Sequence, residues 1–400
     1  MGGAVQAPRR GTRPRNRRHQ IVAAAAELFA RDGYPHVSMS DIADAVAVQP
    51  SALYRHFRGK EQLLYEVVHH ALSAIRSSLD ETPPDGGGAV SALVRAVLEH
   101  RRTGVLWQRE SRHLQPHLRT RLRHELVGIQ HEVAGVVAQR RPAVGELHED
   151  LLAWAVMGAL MSVSFQRIEL PRAEYEDLLV AIADDVLRAP LRRTGDALPP
   201  ATVAPPATRR DELLTAAARL FAERGYQTVG IDDVGAAAGI AGPSVYNHFD
   251  SKLDLLGTVI LDGAEQLQHD GSEVLDSAAD NQDALRGLAR SYADFSFAHS
   301  DAMDLLITET AHLPERERTA IRDTQRSYIA EWVRLLRRVH PDLPAAHARV
   351  RVQAILSLTN DIARTPHLHA QADALTAVCD IGKSILGLER TQPARQRGAE

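Results

Sequence analysis

The sequence predicts an all-α protein made of two tandem copies of one helical module. In each copy a helix-turn-helix is followed by a longer helical domain. Three observations carry this prediction. Residues 18–68 and 210–260 align without a gap at an offset of 192. Leu28-Phe29 matches Leu220-Phe221, Gly33-Tyr34 matches Gly225-Tyr226, and Tyr54, His56, Phe57 and Lys60 match Tyr246, His248, Phe249 and Lys252. A repeat of this length marks a duplicated structural unit. Apolar residues recur at helical spacing through both copies, and no stretch alternates as a strand would. Finally, proline- and glycine-rich breaks fall between the helical stretches and between the two halves.

In chain order, residues 1–16 are Gly/Pro/Arg-rich and read as a basic arm that is disordered when free. The first helix carries Ile21, Ala24, Ala25, Leu28 and Phe29 at helical spacing and is stopped by Gly33. Ser38 with Asp41 forms a variant capping box that opens a short second helix. Pro50 suits the first position of a third helix, where its missing N–H costs nothing. That helix points Leu53 and Phe57 inward and leaves Ser51, Tyr54, Arg55 and Arg58 on other faces. Two helices joined by a tight turn, the second displaying polar groups, make a helix-turn-helix over 17–66. A long helix is expected over 60–80, broken by Thr82-Pro83-Pro84-Asp85-Gly86-Gly87-Gly88. Helical patterns follow at 89–110, 116–140, 146–166 and 172–188, giving a first regulatory domain over 67–189.

Prolines at 190, 199, 200, 205 and 206 mark 190–207 as an extended linker. The plan then repeats, with a second helix-turn-helix over 208–257 and a second regulatory domain over 258–390. The latter carries helices expected after Ser251 and at 281–298, 316–339, 345–364 and 371–388, before a loose tail at 391–400. Glu110-Ser111-Arg112-His113-Leu114 resembles Glu309-Thr310-Ala311-His312-Leu313 at an offset of 199, so the duplication covers a whole domain of about nine helices.

Composition narrows the functional classes. The chain has 400 residues, 44% of them hydrophobic, and a formal net charge of −4. The one cysteine, Cys379, rules out an internal disulfide and a cysteine-based metal site. The N-terminus is basic and polar, unlike a signal peptide, and no apolar run approaches membrane-spanning length. A soluble, cytoplasmic, nucleoid-associated protein is expected. Charge is uneven: residues 1–66 hold ten Arg/Lys against six Asp/Glu, whereas 205–257 hold five against seven. The first module is thus suited to phosphates, and the second, with Arg209, Arg210 and the upstream Arg192 and Arg193, should grip DNA more weakly.

Phe29, Gly33-Tyr34, Ser40-Asp41-Ile42-Ala43 and Leu53-Tyr54-Arg55-His56-Phe57 with Lys60 and Leu63-Leu64 resemble the signature of the TetR/AcrR family of bacterial transcriptional repressors. The second copy resembles it through Val245-Tyr246-Asn247-His248-Phe249 and Lys252. More narrowly, Val105-Leu106-Trp107-Gln108-Arg109-Glu110 and Ala238-Gly239-Ile240-Ala241-Gly242-Pro243 resemble the actinobacterial tandem-repeat TetR regulators, among them repressors of mammalian-cell-entry (lipid and sterol import) operons. The resemblance implies a ligand-binding helical domain behind each helix-turn-helix, in which a ligand moves the long connecting helix and spreads the recognition helices. It also implies a four-helix bundle, here formed by 151–165 and 175–187 with 350–362 and 375–386, so that one chain builds a pseudo-dimer internally. Further association into homodimers stays open. One position departs from the pattern: the turn residue Gly239 of the second copy is Ala47 in the first. A left-handed residue there costs about 1 kcal/mol without glycine. Either the first turn is reshaped or it carries that strain.

The expected DNA contacts divide by role. Tyr54 and Lys60, with Tyr246 and Lys252, are placed to clamp a phosphate strand. His56 and His248 either join them or cap the turn. Arg17, Arg18, Arg209 and Arg210 add charge at the first helix, and Ser38 and Ser40 are expected contacts at the second. Base readout is expected where the copies differ: Gln49, Ser51 and Arg55 against Ser244 and Asn247. Arginine favours guanine and asparagine favours adenine in the major groove. The half-sites should therefore differ. Candidate effector-lining residues are Trp107, Trp154, Met157, Met161 and Phe165 in the first half, with Phe295, Phe297, Met303, Leu306 and Trp332 in the second. Plain core packing is the competing reading for each, and their apolar character points to a lipid- or steroid-like effector.

No catalytic constellation appears. His69-His70 and His367/His369 lack a third ligand beside them, and Gly86-Gly87-Gly88 follows two prolines, not a strand. No enzyme, metal or cofactor is expected. A ligand-responsive repressor of a non-palindromic operator is the favoured reading. The alternative is a sensor or interaction protein whose acidic second module no longer binds DNA specifically.

Overall fold

The computed structural model describes residues 17–82, 88–191 and 205–388. The expected basic arm, the loop at 83–87, most of the expected linker with Arg192 and Arg193, and the tail lie outside the described residues. Among those described, no strand occurs.

The first half runs α1 (Arg17–Asp32), α2 (Met39–Ala45), α3 (Pro50–Leu53), α4 (Lys60–Asp80), α5 (Ala89–Glu99), α6 (Thr103–Val105), α7 (Pro116–Arg140), α8 (Glu146–Met161) and α9 (Arg172–Arg188). The second runs α10 (Arg209–Arg224), α11 (Ile231–Ala237), α12 (Gly242–Val245), α13 (Lys252–Ser277), α14 (Asn281–Ala298), α15 (Ser300–Thr308), α16 (Glu315–Val339), α17 (Ala345–Ala363), α18 (Pro366–His369) and α19 (Ala374–Ile385).

Local chemistry accounts for these elements. Ser38 and Asp41 cap α2 reciprocally, and Pro50 opens α3. Gly33 and Gly225 end α1 and α10 at φ 84, a left-handed conformation that glycine adopts freely. Ala47 keeps φ 52, so the first turn is not reshaped and does carry the strain; Gly239 takes φ 72 in the second.

The helix expected over 89–110 breaks after Glu99. His100 leaves the helical region, and its carbonyl accepts the backbone N–H of Thr103 at 2.9 Å and its hydroxyl at 2.6 Å. The chain resumes as α6, a π-helical turn Leu106–Glu110 and a 3-10 turn Ser111–His113. The 146–166 helix likewise ends at Met161, before a 3-10 turn over Ser162–Phe165. Two short helices, α15 and α18, stand where no helix is expected.

Contacts divide the chain into two units. One holds residues up to Ala153 together with Val163–Arg167; the other holds Trp154–Ser162 and everything from Ile168 onward. The first unit buries Phe29, Ile42, Leu53 and Phe57 beneath its helix-turn-helix, and Leu63, Leu64, Leu72 and Ile75 along α4. The second has a continuous cluster in which Phe221, Val245 and Phe249 pack with Leu305, Leu313 and Ile321. Within that second unit α9 packs on α17 and α19. Arg351 Nη1 bridges Asp185 at 2.6 Å and donates to the Ile385 carbonyl at 2.7 Å, while Ser384 Oγ donates to the Asp185 carbonyl. Gly158 lies so close to α17 that a Cβ there would stand 2.9 Å from Leu358 Cα. The end of α8 thus meets α17, while α9 lies on α17 and α19, which brings together segments of the expected bundle.

Candidate nucleic-acid interface

Each copy builds the same small scaffold. In the first, α3 buries Leu53 and, one turn on, Phe57, which turns the intervening residues outward. Gln49, Ser51, Tyr54, Arg55 and His56 are all exposed. In the second, Val245 and Phe249 are buried and Tyr246, Asn247 and His248 are exposed, with Ser244 half-buried. Tyr54 and Tyr246 are each 56% exposed, unusual for tyrosine, so the phenols project from the surface. The faces share Tyr and His and differ at Arg55 against Asn247, as the aligned copies require.

Several expected phosphate donors are turned inward. Lys60 Nζ donates to the Tyr34 carbonyl at 2.8 Å and stands 4.2 Å from the centre of its ring. Lys252 Nζ repeats this on Tyr226 at 2.7 Å and 4.3 Å and adds the Val229 carbonyl at 2.8 Å. Burial lowers the pKa of both ammonium groups. Both lysines thus brace their own module.

The arginines do likewise. Arg17 and Arg209 donate to the carbonyls of Val46 and Ala238 at 3.2 and 2.7 Å, at the ends of α2 and α11. Arg18 and Arg210 lie over the rings of Phe57 and Phe249 at 5.3 and 4.9 Å, while pairing with Glu66 and Asp262. The Ser38 hydroxyl is taken up by the cap of α2, and Ser40 is exposed beside it.

The candidate effector residues fall into separate groups. Trp107 is half-buried on the π-helical turn, and Phe165 is 37% exposed. Trp154 presents its ring edge-on to His367 at 6.0 Å, and Met157 and Met161 are buried in the same second unit, so these three do not line the first unit. In the second half, Phe295, Met303 and Trp332 are buried, and Phe297 and Leu306 are half-buried. The Phe295 ring lies tilted against His299 at 4.7 Å and that of Phe297 against His369 at 5.2 Å. Trp332 joins Tyr292 and Tyr328 at 6.5 and 6.1 Å between centroids.

Sequence reasoning missed the polar part of this cluster. The Tyr292 hydroxyl donates to Asn360 Oδ1 at 3.0 Å, and Ser296 Oγ to the same oxygen at 3.2 Å. Burial pushes the Tyr292 phenol well above its usual range. A signal in the sequence is the spacing of Tyr292 and Ser296, four apart on one helix face. Among the described residues, no group of three or more His, Cys, Asp or Glu is placed to hold a metal, and no helix is long and apolar enough to cross a membrane.

Residues 21–67 and again 213–259 match the family described as bacterial regulatory proteins, tetR family, and residues 87–191 match the MftR C-terminal domain. The chain is 34% identical over 107 residues to the transcriptional activator FasR of Mycolicibacterium smegmatis, covering 27% of this chain and 48% of that one. It is 39% identical over 89 residues to the transcriptional repressor KstR2 of the same organism, covering 22% and 43%. The chain spans about half the length of the curated relatives it matches. Among solved structures, the ketosteroid transcriptional regulator KstR2 of Mycobacterium tuberculosis matches with a TM-score of 0.41 at 24% identity, over 45% of this chain and 94% of that one.

Proposed function

Because the chain belongs to the TetR family of bacterial regulatory proteins and carries that family's DNA-binding domain twice, we propose that it is a cytoplasmic, ligand-responsive repressor whose two unlike recognition faces read the two ends of one operator. The observation that carries this reading is the pair of outward faces on a shared scaffold, Tyr54-Arg55-His56 and Tyr246-Asn247-His248. The tyrosines and histidines supply contacts that hold register on any sequence. Gln49, Ser51 and Arg55, with Ser244 and Asn247, reach the base edges.

The effector acts on the helical part behind each module. Apolar Phe295, Met303 and Trp332, with the buried Tyr292–Asn360 pair, favour a mostly apolar molecule carrying a polar group. The test is selection of duplexes from a random pool by the full chain, followed by mass spectrometry of small molecules that co-purify with it. One enriched sequence, released from the protein by such a molecule, is the expected result. Enrichment of no sequence would favour the sensor or interaction reading suggested by the acidic second module.

A further inference from the structure

The turn after α6 and the turn after α15 each bring a buried glutamate and a histidine to the tyrosine of their own helix-turn-helix module. Glu110 is 3% exposed, and its Oε2 accepts the backbone N–H of Tyr34 at 2.9 Å. His113 lies 3.9 Å from that carboxylate and stacks on the Tyr34 ring, with centroids 5.1 Å apart and planes inclined by 19°. Lys60 holds the Tyr34 carbonyl and ring, as described above. Tyr34 is therefore gripped at its N–H, its carbonyl and its ring.

The second half repeats the histidine–carboxylate and histidine–tyrosine parts of this arrangement. Glu309 is 4% exposed, His312 Nε2 stands 3.2 Å from its carboxylate, and the His312 ring lies 5.3 Å from that of Tyr226. The helix-turn-helix copies are offset by 192 residues and these turns by 199. The spacing differs by seven residues, yet the histidine meets both the carboxylate and the tyrosine ring in each copy.

Burying a carboxylate is costly, and apolar residues would stabilise such a junction at least as well. What the carboxylate adds is direction. Tyr34 follows the Gly33 turn and leads within four residues to Ser38, the cap of α2, while Lys60 is the first residue of α4. The turn that carries Glu110 continues from the π-helical segment bearing Trp107. We propose that Glu110 with His113, and Glu309 with His312, are positioning residues that set each helix-turn-helix against its own regulatory helices. Displacing the turn then alters DNA affinity with no contact to DNA. This rests on the DNA-binding reading above.

The test uses the full chain, a duplex enriched from a random pool by the wild-type protein, and amide hydrogen exchange. Glu110→Ala should weaken binding on the order of tenfold, a typical coupling between sites. It should leave the dependence of affinity on salt unchanged, since no phosphate contact is lost. Exchange should quicken over residues 34–57. Glu110→Gln keeps an acceptor for the Tyr34 N–H and should restore each readout. If Glu110→Ala does not fold, His113→Ala removes the ring contact and leaves the carboxylate. Wild-type affinity and exchange in the alanine variants would overturn the proposal. So would equal losses in the Ala and Gln variants matched by a fall in thermal stability, which would mark a merely structural role. If the wild-type chain enriches no duplex, the DNA-binding reading fails, and exchange over 34–57 alone decides the positioning role, with unchanged protection overturning it.

Discussion

Ala47 occupies the left-handed region at φ 52 with no glycine to relieve it, and its counterpart Gly239 sits at φ 72 with no atom within 4 Å of where a Cβ would stand. The penalty at this position is therefore one of backbone conformation, with no crowding added. Gly239→Ala should cost about 1 kcal/mol of stability. Ala47→Gly relieves a similar strain but loosens the unfolded chain, so it should be neutral to mildly stabilising. Equilibrium denaturation of both variants checks this, and a clear loss in Ala47→Gly would contradict it. On the recognition face, Tyr54 projects outward while Lys60 is committed to Tyr34. Tyr54→Phe should weaken DNA binding by about 1 kcal/mol on every sequence alike, as expected for one lost hydrogen bond to the backbone. A changed base preference at unchanged affinity would reassign Tyr54 to base readout.

At the scale of the element, α1, α4 and the end of α5 are joined by three histidine rings. His19 and His70 lie 5.2 Å apart and His70 and His100 5.4 Å apart, each edge to face. Burial lowers the pKa of His70, helped by the charges of His19, Arg18 and His69 and opposed by Glu66. Burial also lowers that of His100, helped by His70 and opposed by Glu99. A histidine held below its free value binds its proton more weakly folded than unfolded. Its contribution is complete above the free value of about 6.5 and is lost as pH falls through that point toward the folded value. The first unit should therefore lose thermal stability as pH falls below about 6.5, and His70→Gln should flatten that dependence. The second copy has Asp211 and Asp262 where the first has His19 and His70, so it lacks this chain of rings. A pH-independent melting curve for the first unit would refute the assignment. These elements also show how far the sequence could be read. Caps and apolar periodicity are local, so α1, α4, α7 and α9 fall where their patterns put them, and the outward set on α3 follows from burying Leu53 and Phe57. The break at His100 was not legible, because the carbonyl that ends α5 is satisfied by Thr103 in a turn, residues 100–103, that itself contains no glycine or proline. Nor was the inward turn of Lys60, whose partner Tyr34 lies 26 residues away, or the grip of Glu110 on Tyr34, 76 residues away. A long polar side chain does not announce its partner.

For the whole molecule the decisive feature is that the end of α8 and α9, which precede residue 190 in the chain, pack with α17 and α19 in one unit. Gly158 marks the closest approach, so Gly158→Val should overpack the bundle and cost about 1–3 kcal/mol, measurable by thermal unfolding. A homodimer places two identical recognition helices about one DNA turn, roughly 34–36 Å, apart and so selects a palindrome. A chain that closes the bundle on itself offers two unlike helices instead, with Arg55 standing where the other copy has Asn247. Each good base pairing is worth about 1–3 kcal/mol of discrimination. One chain should therefore cover a non-palindromic operator, Arg55→Ala should relax specificity at one end only, and Asn247→Ala at the other. Footprinting of both variants, combined with mass measurement of the complex in solution, decides the matter. Two chains on a perfect palindrome, with both substitutions acting equally at both ends, would mean that the bundle does not define the DNA-binding unit.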